Sequence, residues 1–414
     1  LKTIGKILVG FIIIRPVVDG AVGIDIFPGF NVPRLWAVLF LLFCGVYLVS
    51  RSIIISPSRL TIYLTTFLVL GAVSNAFSDD YILGLSRYLK ILTWSVALLV
   101  FTDLFRFDYF RRSFPNDLVK LSIVFLVSYL GSFVLSYYFG IQITDKESLY
   151  RYEDSRGLIS FSGFYSSPTA VGFTALFLFY SWTFVSMTRR TGYFRSMLQM
   201  ILLLIAFLSL SRAVILAGFV FAIIQYRKRI GLGAVYLISL GLLSLLVLDE
   251  AIIEDRIMED IELSQNASGI DDIMMLGSGR VGMVYYSIVY YLESIWPNIL
   301  FGLGMDGDFR GTEKYFYRRG AHNDFVMYLV NMGLLGLAFF VLFFYRYVIE
   351  YIVRPSQFLQ RLAGKESIHF SLVASLLVCM SLQDMTTYMV FLMFIITSAW
   401  FRAEALSESF NQKQ

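Results

Sequence analysis

Charge is scarce in this sequence. Of its 414 residues only 15% are Asp, Glu, Lys or Arg, where soluble domains carry about 25%. A chain so poor in charge cannot dress a whole surface for water, which excludes an ordinary cytosolic enzyme. Cysteine is nearly missing as well: Cys44 and Cys379 are the only two, both inside apolar runs without metal-type spacing, so a disulfide framework or a zinc centre is not expected. There is no Walker A sequence, no Gly-x-Ser-x-Gly nucleophile elbow and no carboxylate cluster inside the apolar runs that would couple transport to an ion. The acidic groups Asp79-Asp80, Asp271-Asp272 and Asp306-Gly-Asp308 read as solvated turns more readily than as calcium ligands. No metal, no cofactor and no nucleic-acid partner is therefore expected.

What the sequence has in abundance is apolar length. Apolar residues make up 57% of it, and 39 Phe, 26 Tyr and 5 Trp supply the aromatic side chains that collect at lipid–water interfaces. About 30 Å of hydrocarbon needs near 20 apolar residues of helix. Twelve such runs are expected, at 4–18, 35–49, 60–77, 82–101, 118–139, 169–187, 197–210, 213–226, 231–248, 325–347, 368–382 and 388–401. They are continuous rather than alternating, so the fold class is an all-α polytopic membrane protein, not a barrel. The chain divides into residues 1–248 with helices 1–9, an extracytoplasmic loop at 249–321 with interfacial helices, and 322–414 with helices 10–12 and a cytoplasmic tail. The first run has no small-residue cleavage site after it and reads as a retained helix. With the N-terminus inside, the inner loops and tails net +13 and the outer ones −9, so both termini are expected in the cytoplasm.

The stretch from 197 to 226 is flanked by basic clusters at both ends, which demands an even number of crossings. Thirty residues suffice only for two short helices meeting at Ser209-Leu-Ser-Arg212. Arg212 then faces a polar cavity or an anionic partner, or else snorkels to the headgroups. In the long outer loop, Gly277-Ser-Gly-Arg280 precedes an aromatic helical stretch, 281–294, closed by Trp296 and Pro297. A helix N-terminus at Ser278 beside Arg280 offers backbone N–H groups and a cation to an anion, or is a plain turn into an interfacial helix. Two histidines exist, His322 and His369. His322 lies at the outer mouth with Arg212 and Arg280, where a neutral imidazole can take a proton from an alcohol while cations hold a phosphorylated substrate. Arg87, Lys90, Arg318 and Arg319 are further outer cations fit to seat phosphate or glycan, with interfacial anchoring as the ordinary role. Asn323 or Asp324 can orient the imidazole, or cap the helix that follows.

Ser209-Leu-Ser-Arg212, Gly277-Ser-Gly-Arg280 and Ala321-His-Asn-Asp324 followed by Asn331-Met-Gly-Leu-Leu-Gly336, with Arg156-Gly-Leu, Gly163 and Ser167-Pro168 upstream, together resemble the bacterial O-antigen polymerase and O-antigen ligase superfamily. The resemblance implies a metal-independent, twelve-span glycosyltransferase in the bacterial cytoplasmic membrane with its active site on the outer face. It implies undecaprenyl-pyrophosphate-linked glycan as donor, Arg212 and Arg280 on the pyrophosphate, and His322 on the acceptor hydroxyl. The polymerase reading takes a second lipid-linked repeat unit as acceptor, with a chain-length regulator as a possible partner. The ligase alternative takes lipid A core, and a glycan-lipid flippase or secondary transporter is the alternative of another class.

Overall fold

A computed structural model describes residues 1–21, 24–27, 30–51, 58–139, 165, 168–189, 192–209, 211–226, 274, 280–315, 320–363, 368–383, 385–387 and 390–411. Eleven of the twelve expected apolar runs coincide with helices; the ninth, 231–248, lies outside the described residues. The first run is two helices, α1 (Lys2–Ile13) and α2 (Arg15–Gly20), because Pro16 brings no N–H and fits only in a first turn. A two-stranded hairpin, β1 (Asp25–Phe27) with β2 (Phe30–Asn31), leads into α3 (Val32–Arg51). Next come α4 (Arg59–Asn75), α5 (Tyr81–Leu104) and α6 (Asp108–Phe139). Ser58 and Asp80 cap α4 and α5, accepting from the N–H of Thr61 at 3.1 Å and of Leu83 at 3.0 Å.

The stretch expected to turn back on itself does so, as α8 (Tyr193–Leu208) and α9 (Arg212–Tyr226), after α7 (Pro168–Thr188). Three short helices follow, α10 (Arg280–Leu292), α11 (Trp296–Phe301) and α12 (Gly307–Tyr315). Trp296 and Pro297 thus open a helix of their own instead of closing the one before. The last elements are α13 (Asp324–Tyr347), which runs through a π-helical turn at Val348–Val353 into α14 (Arg354–Ala363), then α15 (His369–Leu382), a 3-10 turn at Met385–Thr387, and α16 (Val390–Asn411).

Among the described residues five helices are long and apolar enough to cross a membrane, Val32–Arg51, Tyr81–Leu104, Asp108–Leu135, Thr169–Thr188 and Asp324–Arg361, and α8, α9 and α15 are shorter apolar ones. The protein is membrane-embedded and all-α in its spanning part. Its flanks carry Leu42, Val49, Val127 and Leu130 exposed, the arrangement expected where the solvent is hydrocarbon rather than water.

α7 is buried on every side, between α8 and α16. Large aromatic side chains fill the interior, and the polar ends of two of them show the pairing that buried Trp and Tyr favour. The Trp182 indole N–H donates to Ser122 Oγ at 3.0 Å, and Tyr347 Oη lies 2.7 Å from Ser398 Oγ. Pro115 sits inside α6 and cannot donate to the Arg111 carbonyl; the Trp400 indole N–H does so instead, at 2.8 Å. One end of the bundle gathers arginines from several helices. Arg51 pairs with Asp103 at 3.0 Å, and Arg111 and Arg189 share Glu404 at 3.3 and 2.9 Å. The candidate site lies at the other end.

Candidate functional site

The site begins with a break in a helix. Residues 325–347 read as one apolar run, yet the backbone of α13 leaves helical geometry at Gly333, φ 69°. A break frees carbonyls that must find other donors in a buried setting. Val330 O accepts from the N–H of Leu303 at 2.9 Å, and Asn331 O accepts from the N–H of Gly304 at 3.2 Å and from the Ser74 hydroxyl. The approach is close enough that only glycine fits: a Cβ at Gly333 would lie 2.3 Å from Leu300 O, and one at Gly302 2.1 Å from Asn331 O. The segment joining α11 to α12 is thereby fastened to the break. Asn331 Oδ1 continues the connection by accepting from the N–H of Asp308 at 2.9 Å.

Asp308 is the second joint. Its carboxylate is fully buried and forms a two-pronged ion pair with Arg87 of α5, one prong at 3.2 Å, and the Arg87 side chain is 5% exposed. The guanidinium also donates to Met305 O at 3.2 Å and lies 4.3 Å from the centre of the Phe309 ring. Asp308 Oδ2 accepts in addition from the N–H of Ala321, at 3.0 Å. Asp306, its neighbour in the acidic turn, accepts from the N–H of Asp80 at 2.9 Å and faces Arg310 at 3.4 Å. Sequence reading took Asp306 and Asp308 for solvated acids. Both are buried, because their carboxylates bind α12 to α5 and to the turn before it.

His322 follows Ala321 directly, and it is the one non-glycine residue at positive φ, 48°, among the described residues. A side chain in that region strains the backbone by about 1–3 kcal/mol and persists where its surroundings over-determine it. They do so here. Ala321 is tied to Asp308. Asn323 caps α13 by accepting from the N–H of Val326 at 3.0 Å, and its amide donates to Ser381 O at 2.8 Å. Asp324, fully buried, accepts from the N–H of Thr386 at 3.1 Å and from its hydroxyl, which lies 2.6 Å from Tyr328 Oη. The imidazole is held as well: His322 Nδ1 lies 3.0 Å from the side-chain amide of Gln383. With that amide nitrogen donating, Nδ1 is the acceptor; a flip of the amide makes Nδ1–H the donor and leaves Nε2 basic.

The other expected site residues distribute as follows. Arg212 is the first residue of α9, which packs antiparallel to α15. Ser371 donates to Gln225 at 2.8 Å and Ser375 to Ala217 O at 2.7 Å, a register that brings the start of α9 level with the end of α15, next to Gln383. Arg280, half-buried, opens α10. That helix lies along α12, Ser287 Oγ donating to Asp308 O at 3.4 Å. Lys90 is half-buried on α5 one turn from Arg87, within electrostatic reach of Asp19. Asn323 is a helix cap beside His322. Ser278, Arg318 and Arg319 lie outside the described residues, as do the side chain of Arg212 and the loop residues 249–273. His369 is buried at the start of α15, its ring 4.3 Å from that of Phe370. Asp308 stands out in the sequence only as part of an acidic turn, and Asn331 only as part of a recognisable string. Gln383 and Thr386 carry no local signal, since their partners are distant in the chain.

No protein-family model matches the chain, and no curated protein matches it either. The functional reading therefore stands on the residues themselves.

Proposed function

We propose that the protein is a membrane glycosyltransferase of the polysaccharide-polymerase kind, in which His322 is the general base. The observation that carries this reading is the strained, fastened backbone at His322. Asp308, Ser381, Thr386 and Gln383 hold one imidazole in a conformation the chain would not choose, and such strain is a mark of positions where orientation matters for chemistry.

In the proposed reaction the acceptor sugar O–H attacks the anomeric carbon of an undecaprenyl-pyrophosphate-linked glycan. The C1–O bond to pyrophosphate breaks, undecaprenyl pyrophosphate leaves as the anion, and the hydroxyl proton passes to His322 Nε2, which is unprotonated in the tautomer whose Nδ1–H donates to the Gln383 side-chain oxygen. A sugar hydroxyl is a poor nucleophile near pH 7, and removal of its proton as the bond forms is worth about 10²–10⁴ in rate. Single displacement inverts the anomeric centre. Arg212 and Arg280 stabilise the charge that grows on the pyrophosphate, as planar cations with several donors do. Ser278, Lys90, Arg318, Arg319 and Asn323 take the secondary contacts to lipid phosphate and glycan. Arg87 acts from behind the site: its guanidinium is given to Asp308, so it supports Ala321 and through it His322. The setting of the proposal is a bacterial cytoplasmic membrane, both termini inside and the site on the outer face, with a chain-length regulator as partner.

A broken helix is also a feature of secondary transporters, where freed carbonyls coordinate ions. Here Leu303, Gly304 and Ser74 take those carbonyls, which favours a packing role for the break. The decisive assay incubates purified protein with a lipid-linked repeat unit and reads the products on a gel. A ladder supports polymerase, a single transfer to added lipid A core supports ligase, and net lipid flux in vesicles without glycosidic bond formation refutes both. Within the ladder assay, His322→Ala is expected to abolish elongation while retaining donor binding, and an active alanine variant overturns the base assignment.

A further inference from the structure

A groove of about 360 Å³ runs between α1 and the first turns of α6, far from His322, at the end where the arginines gather. Its lining includes Lys6, Val9, Gly10, Ile13, Asn116 and Lys120. Lys2 and Lys6 face the Tyr109 ring at 4.2 and 5.7 Å from its centre rather than a carboxylate. Lys120 is 3.1 Å from Asp117, the one acid in the lining, and Arg195 donates to Asn116 at 3.0 Å from the adjoining α8. The apolar part, Val9, Gly10 and Ile13, continues into side chains that face outward from the bundle, Ile7, Ile14 and Val17. Cations at one end and an apolar trough open to the hydrocarbon are the two halves of a lipid: a phosphate and an acyl chain.

We infer that this groove binds one anionic glycerophospholipid of the leaflet that meets the basic end. Lys6 and Lys120 meet its phosphate, and one acyl chain lies along Val9, Gly10 and Ile13. Charge complementarity selects the ligand: Lys2, Lys6, Lys120 and Arg195 stand about a lining whose one acid is Asp117, the adjoining Asp108 being paired with Arg111 and Arg112, and a basic end of a membrane protein faces the anionic leaflet. The shape of the trough depends on Gly10, since a Cβ built there meets no atom within 4 Å. That space is open rather than filled by a neighbouring helix. The inference is independent of the glycosyltransferase reading and survives its failure.

The test titrates the full purified chain in detergent with dioctanoyl phosphatidylglycerol and, separately, dioctanoyl phosphatidylcholine, counting bound lipid by native mass spectrometry. Wild-type protein is expected to bind one molecule of the anionic lipid saturably and more tightly than the zwitterionic one. Lys6→Gln with Lys120→Gln is expected to weaken phosphatidylglycerol binding about thirtyfold, two cationic neighbours at their usual surface value, with phosphatidylcholine unchanged. Gly10→Leu keeps every charge and fills the trough. It is expected to abolish saturable binding of either lipid while thermal melting stays at the wild-type temperature. Equal affinity of wild-type protein for the two lipids overturns the inference. So does undiminished phosphatidylglycerol binding by folded Gly10→Leu, which would reduce the lysines to diffuse attraction.

Discussion

Removing Arg87 asks how much of the site rests on one buried ion pair. Its side chain is 5% exposed and that of Asp308 is fully buried, so solvent does not screen the loss. Arg87→Met leaves a carboxylate in the interior with Ala321 N–H as its remaining donor from the loop, and breaking a buried pair from one side costs about 3–5 kcal/mol. Asp308→Leu strands the guanidinium and also takes the acceptor from Ala321, adding about 1–3 kcal/mol for an unsatisfied buried amide. The double variant Arg87→Met/Asp308→Leu buries no charge, and only the second of those losses remains. It is therefore expected to be more stable than either single variant. Unfolding of the purified protein in mild detergent by added dodecyl sulfate, followed by tryptophan fluorescence, reads the three values. Transfer activity is expected to behave otherwise: the double variant regains stability but not rate, because Ala321 and the strained His322 beside it have lost their tether. A single Arg87→Met protein within about 1 kcal/mol of wild type, well under the buried-pair range, refutes the reasoning. A double variant less stable than both singles refutes it equally.

Three further outcomes follow from the same geometry. Strain at His322 makes His322→Gly more stable than His322→Ala by about 1–2 kcal/mol, since both lack the imidazole and only alanine keeps a Cβ at positive φ; parity in dodecyl sulfate titration sinks the claim. Gln383→Leu removes the partner of Nδ1 and is expected to lower kcat about 10–100-fold with donor affinity intact, the cost of a misaimed base, as single-turnover transfer against donor binding will show. Gly333→Ala places a Cβ against Leu300 O and is expected to destabilise by about 2–4 kcal/mol, whereas Gly45→Ala, with no atom within 4 Å of the added carbon, stabilises by about 0.5–1 kcal/mol; thermal melts that rank them in reverse count against the break at Gly333.

Hydropathy made the helices legible because each apolar run had to be one, even the paired short helices on either side of Ser209 and Ser211. It hid the break at Gly333, where residues 325–347 look uniformly apolar and the change of direction depends on donors from residues 303, 304 and 74. The same limit governed the site. His322 stood out because histidine is rare in the chain, whereas Gln383 and Thr386 are ordinary residue types that matter only through what lies opposite them. Arg87 was read as a cation facing substrate because its partner is 221 positions away. Proximity of that kind leaves no period in a sequence. Acidic turns look alike on paper, and only packing tells the buried Asp306 and Asp308 from the exposed Asp79.

That separation also has a meaning in time. A chain that lengthens at about 5–20 residues per second leaves Arg87 waiting roughly 10–45 s for Asp308 to be made. During that interval α5 carries a guanidinium for which the bilayer interior is a poor solvent, at about 2.5–3.5 kcal/mol on insertion scales. Arg87 is six residues from the start of α5, near enough to the end for its side chain to reach the headgroups. A nascent protein stopped before α12 is thus expected to hold α5 shallow, with Arg87 in water. The arrival of Asp308 draws it inward, and the polar end of the bundle closes only in the last third of synthesis. With Arg87 kept, a Ser86→Cys label beside it in chains truncated before residue 307 should accordingly react with a membrane-impermeant thiol reagent and become protected once α12 is present.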